Sequence, residues 1–242
     1  MHVRAICFDA VGTLFDLREP VGITYARLGR RFELRADPTR LTDAFRRALR
    51  MAPPLAFPEA DDASLADLER RWWRTIVDAT FAAASTARVP EALSAALFDH
   101  YAGCAAWSRH QDALPVLRSF RRRGCKLAIV SNFDARLDGL AEGLGIRPLV
   151  DSIVCSGRAG AAKPDPRIFR RALGLLGALP GETLHVGDDA VMDVAGAGAA
   201  GLRAVLLDRG HGRGRTAPPG APTIASLGEL EPLLVRRRWL DG

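Results

Sequence analysis

The stretch Phe8-Asp9-Ala10-Val11-Gly12-Thr13-Leu14-Phe15-Asp16 decides the fold of this chain. It follows the apolar run Val3–Phe8, and an apolar run that carries β-branched and aromatic side chains and closes on a carboxylate and a glycine is typical of a buried strand. We therefore predict a strand that ends at Asp9. Ligands of open α/β sheets bind at such strand ends, because the loops that leave the strands diverge there. A strand-ending aspartate is also a common turn former, so Asp9 alone does not define a site.

Two later apolar runs also end in polar groups. Lys126–Val130 is followed by Ser131-Asn132, and Thr183–Val186 is followed by Gly187-Asp188-Asp189. If these runs are neighbouring parallel strands, their polar ends meet Asp9 at one edge of the sheet. The pattern therefore predicts a shared site.

Lysine usage points to the same region. Of 34 cationic residues only Lys126 and Lys163 are lysines, and Lys163 lies in the segment Lys163-Pro164-Asp165-Pro166. A compact ammonium reaches a single phosphoryl oxygen as a point charge, whereas arginine presents a planar fork. Lys163 is therefore a candidate ligand for an anionic substrate, and a chance surface lysine is the alternative.

The order of predicted elements indicates an α/β protein with a doubly wound parallel sheet and a helical insertion. Apolar residues recur at helical spacing for about ninety residues after Leu14, and strands and helices alternate beyond residue 125. We predict a core domain of residues 1–15 and 106–242 and an all-helical cap of residues 16–105. The paired Trp72 and Trp73 are expected to pack inside that insertion.

Four motifs taken together are specific where each alone is weak. FDAVGTLFD, IVSN, KPDP and VGDDAVMDVAGAGAAG resemble, in order and spacing, the motifs of the haloacid dehalogenase-like hydrolase superfamily. The resemblance extends from Val3 to about Leu207. It is closest to members with a helical cap inserted after the first motif, a phosphatase-like subgroup (subfamily IA type).

The predicted site is rich in carboxylates, and carboxylates that lie close together repel. Either some of them stay protonated or a cation holds them. A hard divalent cation suits oxygen ligands, and Mg²⁺ is the expected ion because it needs few carboxylates. The resemblance implies that Asp9, the backbone carbonyl of Val11 and Asp188 bind Mg²⁺. Asp193 is expected either to bind the ion or to support it, and a plain first-turn residue favoured by the helix dipole is the alternative.

The resemblance also implies the catalytic groups. The aspartate that matches Asp9 is the nucleophile and forms a covalent aspartyl intermediate, which divides one difficult displacement into two easier ones. Phosphoryl transfer mostly needs positioning and charge neutralisation. Those tasks are assigned to Lys163, to the Ser131 hydroxyl and to the backbone amides of Ala10 and Val11. Asn132 is expected to orient substrate or backbone, or to be a turn residue.

The sequence departs from the phosphatase pattern at Val11. Related phosphatases usually carry there a second aspartate that protonates the leaving oxygen, and valine cannot do so. We expect a Mg²⁺-dependent hydrolase of a small phosphorylated metabolite with weakened acid–base catalysis. One alternative is a binding or regulatory protein with little turnover. The other is a metal-independent 2-haloacid dehalogenase, although that branch lacks the paired acids of Gly187-Asp188-Asp189.

The formal net charge of +6 could suggest nucleic acid as a partner. The positive residues are scattered along predicted helices with little aromatic interleaving, which favours a solvated surface that attracts small anions. No apolar stretch approaches the roughly 18 residues that span a bilayer, and the first strand begins without a signal-peptide layout. We therefore expect a soluble cytoplasmic protein whose partner is a small phosphorylated molecule, with neither nucleic acid nor membrane.

Overall fold

The computed structural model describes residues 2–84, 88–210, 218 and 220–240. It divides into two compact units, each described here by itself. The α/β unit comprises Met1–Asp16, Ala56–Glu59 and Arg109–Gly242, and the helical unit comprises Leu17–Leu55 and Ala60–Ser108. The predicted domains have similar boundaries but assigned residues 56–59 to the helical insertion. The structure places them in the α/β unit, where Pro58 lies against Gly160.

The α/β unit is built on a six-stranded parallel sheet, in the order β5-β4-β1-β6-β7-β8. The strands are β1 (Ala5–Phe8), β4 (Lys126–Ser131), β5 (Ser152–Cys155), β6 (Thr183–Gly187), β7 (Arg203–Leu207) and β8 (Thr223–Ile224). Two further strands, β2 (Phe15–Leu17) and β3 (Trp107–Arg109), form a separate two-stranded sheet. This arrangement confirms the predicted α/β class with a parallel sheet.

Helices flank the sheet. They are α5 (Ala113–Arg122), α6 (Arg136–Gly143), α7 (Ser156–Ala159), α8 (Pro166–Leu176), α9 (Gly196–Ala199) and α10 (Leu230–Arg236). Short 3₁₀ turns span Arg147–Leu149, Pro180–Glu182 and Leu227–Glu229. Helix α8 begins with a capping pair that is adjacent in the sequence: the Asp165 carboxylate accepts a hydrogen bond from the Arg167 amide, and Pro166 occupies the first helical position.

The core of the α/β unit follows from strand periodicity. Alternate residues of a strand face opposite sides of the sheet. Ala5 and Cys7 of β1, with Ala128 and Val130 of β4, therefore share one face and pack against Phe169 of α8 within one buried cluster. Both strands are buried throughout their central residues, as expected for a sheet covered on both sides.

The helical unit contains α1 (Val21–Gly29), α2 (Pro38–Met51), α3 (Asp62–Ala84) and α4 (Glu91–Ala102), with 3₁₀ turns at Arg30–Phe32 and Cys104–Ala106. Its core is aromatic at the centre, where the rings of Tyr25 and Phe81 stack with centroids 5.8 Å apart. Trp72 and Trp73 contact one another edge to face at 4.9 Å. The Trp72 indole also donates a hydrogen bond to the Pro53 carbonyl.

Four elements differ from what the sequence pattern indicates. The short strands β2, β3 and β8 contain two or three residues each, too few to show a periodicity. The segment after β6 forms a π-helix over Ala190–Ala195 followed by α9, rather than one continuous α-helix. Among the described residues, no helix is long and apolar enough to cross a membrane.

Candidate active site

Three adjacent strand ends place the predicted residues together. Strand β1 lies between β4 and β6, and Phe8 pairs with Ile129 on one side and Val186 on the other. Asp9 therefore leaves the sheet beside Ser131, the last residue of β4, and beside Asp188, which follows the last residue of β6. Ser131 is buried and Asp188 is half-buried.

Lys163 bridges two of the carboxylates. Its Nζ donates hydrogen bonds to Asp9 Oδ1 at 2.6 Å and to Asp193 Oδ1 at 2.5 Å. All three side chains are buried, with 3 % of the Lys163 side chain exposed. Distances this short are typical of charge-assisted hydrogen bonds. Lys163 thus neutralises charge directly at the predicted nucleophile.

Asn132 holds the backbone of Lys163. Its Nδ2 donates to the Lys163 carbonyl at 2.9 Å, and its Oδ1 accepts from the Lys163 amide at 2.7 Å. This reciprocal pair fixes the segment that presents the ammonium, because the donor and the acceptor of the side-chain amide both bind the same residue. In this structure Asn132 therefore orients backbone rather than forming a simple turn.

Asp193 is enclosed by donors. Besides Lys163, its Oδ1 contacts His185 Nε2 at 2.9 Å, and its Oδ2 accepts from the Asp189 amide at 2.9 Å. An ionised carboxylate only accepts, so His185 carries its proton on Nε2 in this pair. Sequence reasoning did not select His185. The available signal was a titratable side chain in the middle of a strand that is buried throughout.

Two glycines allow the close approach of these segments. Gly12 has a φ of +87°, and a Cβ there would lie 2.7 Å from Asp188 Oδ2. A Cβ at Gly187 would lie 2.1 Å from Asp193 Cγ. Both positions therefore require glycine, since any larger residue would displace a carboxylate of the site.

Burial and charge shift the ionisation of this cluster. Burial raises the pKa of the Asp9 carboxyl above its ordinary range, and the negative charge of Asp193 adds to the increase, although Lys163 opposes it. Burial also disfavours charge on Asp193, but Lys163 and His185 outweigh it and hold the pKa of the Asp193 carboxyl below its usual range. Burial disfavours the charged form of Lys163 too, but the negative charges of Asp193 and Asp9 outweigh it and raise the pKa of the Lys163 ammonium. The lysine therefore stays charged.

The donor set fits a hard divalent cation. Oxygen atoms of Asp9, Asp188 and Asp193 lie within 4.8 Å of one another. If ionised, three carboxylates carry three negative charges, and Lys163 balances only one of them. A divalent ion would balance the other two, and oxygen ligands are those that Mg²⁺ prefers. The Asp189 side chain instead caps the following helix, because its Oδ1 accepts hydrogen bonds from the Val191 and Met192 amides.

The site therefore combines a buried, lysine-paired aspartate at the end of a central strand with two further carboxylates in the segment that follows the neighbouring strand β6. The family model described as haloacid dehalogenase-like hydrolase matches residues 3–201. The chain belongs to this haloacid dehalogenase-like family, and it is a hydrolase of that family.

Individual relatives agree with this assignment. The chain is 33% identical to haloacid dehalogenase-like hydrolase domain-containing protein 3 of Bos taurus, over 100% of this chain and 96% of the relative. It is 39% identical to a phosphoserine phosphatase of Thermus thermophilus, over 50% of this chain and 48% of that protein. A solved structure described as a dehalogenase has a TM-score of 0.67 and 26% identity, and the match covers 96% of this chain and 97% of that one.

Proposed function

We propose that this hydrolase is a Mg²⁺-dependent phosphohydrolase that acts on a small phosphorylated metabolite with Asp9 as nucleophile. The observation that carries the proposal is the Asp9 cluster: a buried carboxylate 2.6 Å from a buried ammonium, with carboxylates of Asp188 and Asp193 within 4.8 Å. The similarity to a phosphatase over half of the chain supports it. In this proposal the helical unit, Leu17–Leu55 and Ala60–Ser108, is the cap that selects the substrate.

Each residue of the site has its own role in this reaction. Lys163 holds the Asp9 carboxylate in one orientation and neutralises an oxygen of the incoming phosphoryl group. The Ser131 hydroxyl and the Ala10 and Val11 amides bind the other phosphoryl oxygens. Asp9, the Val11 carbonyl and Asp188 would hold Mg²⁺, with Asp193 as a ligand or as support. The bound ion would supply positive charge that draws nucleophile and phosphoryl group together.

Two displacements complete the reaction. An Asp9 oxygen forms a bond to phosphorus while the bond between phosphorus and the ester oxygen breaks, and the ester oxygen leaves with that electron pair. Water then attacks phosphorus, which releases inorganic phosphate and restores the Asp9 carboxylate. Because Val11 cannot donate a proton, the leaving oxygen departs unprotonated. Substrates with weakly basic leaving groups, such as acyl or aryl phosphates, are therefore favoured.

A metal-independent 2-haloacid dehalogenase is the second candidate. Val11 favours it, because displacement of halide from carbon needs no leaving-group proton. The 26% identical structure described as a dehalogenase points the same way. The carboxylate at Asp188 argues against it, since a site without metal gains nothing from a third negative charge near Asp9.

A turnover screen separates the candidates. The full chain and an Asp9→Asn variant are assayed for phosphate release from acetyl, p-nitrophenyl and alkyl phosphates, and for chloride release from 2-chloropropionate, each with Mg²⁺ or with EDTA. We expect Mg²⁺-dependent phosphate release that Asp9→Asn abolishes. Chloride release that persists in EDTA would establish the dehalogenase. No turnover, combined with a Mg²⁺-dependent rise in Tm, would indicate a binding protein.

A further inference from the structure

A polar junction in the α/β unit joins the loop after Asp9 to three distant segments. The guanidinium of Arg209, just beyond β7, donates from Nη1 and Nη2 to the two Asp112 oxygens at 2.9 Å each. Arg209 Nη2 also donates to the Thr13 carbonyl at 3.0 Å. Asp112 Oδ2 accepts in addition from the Leu227 amide at 2.9 Å. The Arg209 side chain is 12% exposed, so this cation is largely withdrawn from solvent.

Asp112 is placed to hold Arg209 rather than to cap a helix. It occupies the N-cap position of α5, where an aspartate ordinarily accepts hydrogen bonds from the first helical amides. Its side chain makes no such bond. Both carboxylate oxygens face Arg209 instead, which fixes the guanidinium plane through a bidentate pair.

A continuous chain of hydrogen bonds leads from Arg209 to a predicted phosphate-binding amide. The carbonyl of a trans peptide and the following N–H point in opposite directions. The peptide between Thr13 and Leu14 therefore accepts from Arg209 at one end and donates to the Ala10 carbonyl at 2.8 Å at the other. The Ala10 carbonyl shares its own peptide plane with the Val11 amide. A cation at one end of such a chain polarises every bond along it.

We propose that Arg209 is a positioning residue for the loop that binds the phosphoryl group, acting through the Thr13 and Ala10 peptides on the Val11 amide. The inference rests on the proposed function, because it assigns the Val11 amide to the phosphoryl group. In the described part of the chain, the Arg209 guanidinium donates to Asp112 and Thr13, and not to Asp9 or to a neighbour of Lys163. Its effect should therefore fall on the transition state, where the fit of the loop amides is most demanding.

The test uses Arg209→Met and Arg209→Lys in the full chain, with Arg123→Met as the matched control. Arg123, which follows the last residue of α5, also pairs with a carboxylate, donating from Nε and Nη2 to Glu231 Oε1 at 2.9 and 2.6 Å. We measure Tm, kcat and KM for p-nitrophenyl phosphate with Mg²⁺, and deuterium exchange of the peptide that spans residues 9–17.

We expect Arg209→Met to lower kcat about 10- to 100-fold with little change in KM, and to speed deuterium exchange in residues 9–17. Arg209→Lys keeps the positive charge but has a single donor nitrogen, so its kcat should lie between those of Arg209→Met and the wild type. Arg123→Met should lower Tm without changing kcat or exchange in the loop. Equal kcat losses in Arg209→Met and Arg123→Met, or unchanged loop exchange in Arg209→Met, would overturn the inference.

The exchange measurement keeps this inference separate from the proposed function. If the wild-type chain hydrolyses no phosphate ester, the proposed function fails, and exchange alone then decides whether Arg209 orders the loop. If Arg209→Met does not fold, Arg209→Lys carries the same comparison. In that case unchanged kcat and unchanged exchange in Arg209→Lys would overturn the inference.

Discussion

The two lysines of the chain lie at opposite edges of the same sheet and in opposite environments. Lys163, at the carboxyl edge, is buried between two carboxylates at 2.6 and 2.5 Å. Lys126 begins β4 at the amino edge, where 60% of its side chain is exposed and its nearest carboxylate, Asp151, lies 4.0 Å away. An exposed pair is weakened by water and salt. The comparison shows that two side chains of the same type differ in burial and pairing, and that only the buried one contacts the predicted nucleophile.

The largest expected difference between the edges is the effect of removing each ammonium. Lys163→Met should lower phosphate release by roughly 10²–10³-fold, because charge at the transferring group is lost. It should also cost about 3–5 kcal/mol of unfolding free energy, because two buried carboxylates lose their partner. Lys126→Met should change the free energy of unfolding by no more than about 0.5 kcal/mol, and it should leave turnover unchanged. Phosphate-release kinetics and urea unfolding of both variants test this prediction. Comparable losses of activity and stability in the two variants would show that the two lysines do not differ in importance.

Adding a carboxylate at the carboxyl edge tests the comparison from the other direction. Val11→Asp would restore a proton donor, so alkyl phosphates should accelerate most, by up to about 10²-fold, and the preference for aryl phosphates should narrow. Parallel kcat/KM measurements on both ester types give the ratio, after circular dichroism has established that the variant folds. If both ester types respond equally or not at all, leaving-group protonation does not limit turnover.

Metal binding should distinguish the acids of the two edges. Mg²⁺ at 100 times its dissociation constant should stabilise the wild type by about 2.7 kcal/mol through mass action. Asp188→Asn should abolish most of this stabilisation, whereas Asp151→Asn at the amino edge should retain it. Thermal unfolding with and without Mg²⁺ measures the shift. An undiminished Mg²⁺ effect in Asp188→Asn would exclude Asp188 as a ligand.

The smallest expected effect is the pH dependence that Asp193 contributes. Its pKa is lowered in the folded state by Lys163 and His185, against burial, so its ionised form stabilises the fold above the unfolded pKa of about 3.9. That contribution is lost as pH falls. The destabilisation caused by Asp193→Asn should therefore be larger at pH 7 than at pH 3, as measured by urea unfolding. A pH-independent difference would show that packing, not charge, accounts for the role of Asp193.

Local pattern in the sequence determined the strands and the candidate acids. The apolar runs that end at Asp9, Ser131 and Gly187 predict three of the strands, because burial on both faces demands such runs. Parallel neighbours then place the polar residues at one edge. The four ordered motifs led to the family, which the family model and relatives show. The start of helix α8 is also determined locally, because its capping residues Asp165 and Pro166 are adjacent in the sequence.

Only the tertiary structure decided which groups pair across the site. Three such pairings form the site: Lys163 bridges Asp9 and Asp193, Asn132 binds the Lys163 backbone, and His185 contacts Asp193. The residues in these contacts are 8 to 154 positions apart in the sequence. Likewise, Arg209 reaches Thr13 across 196 positions. Periodicity and propensity describe near neighbours along the chain, whereas these contacts follow from the packing of whole strands and helices. The same physics separates Lys163 from Lys126, two identical side chains whose burial is set only by the folded sheet.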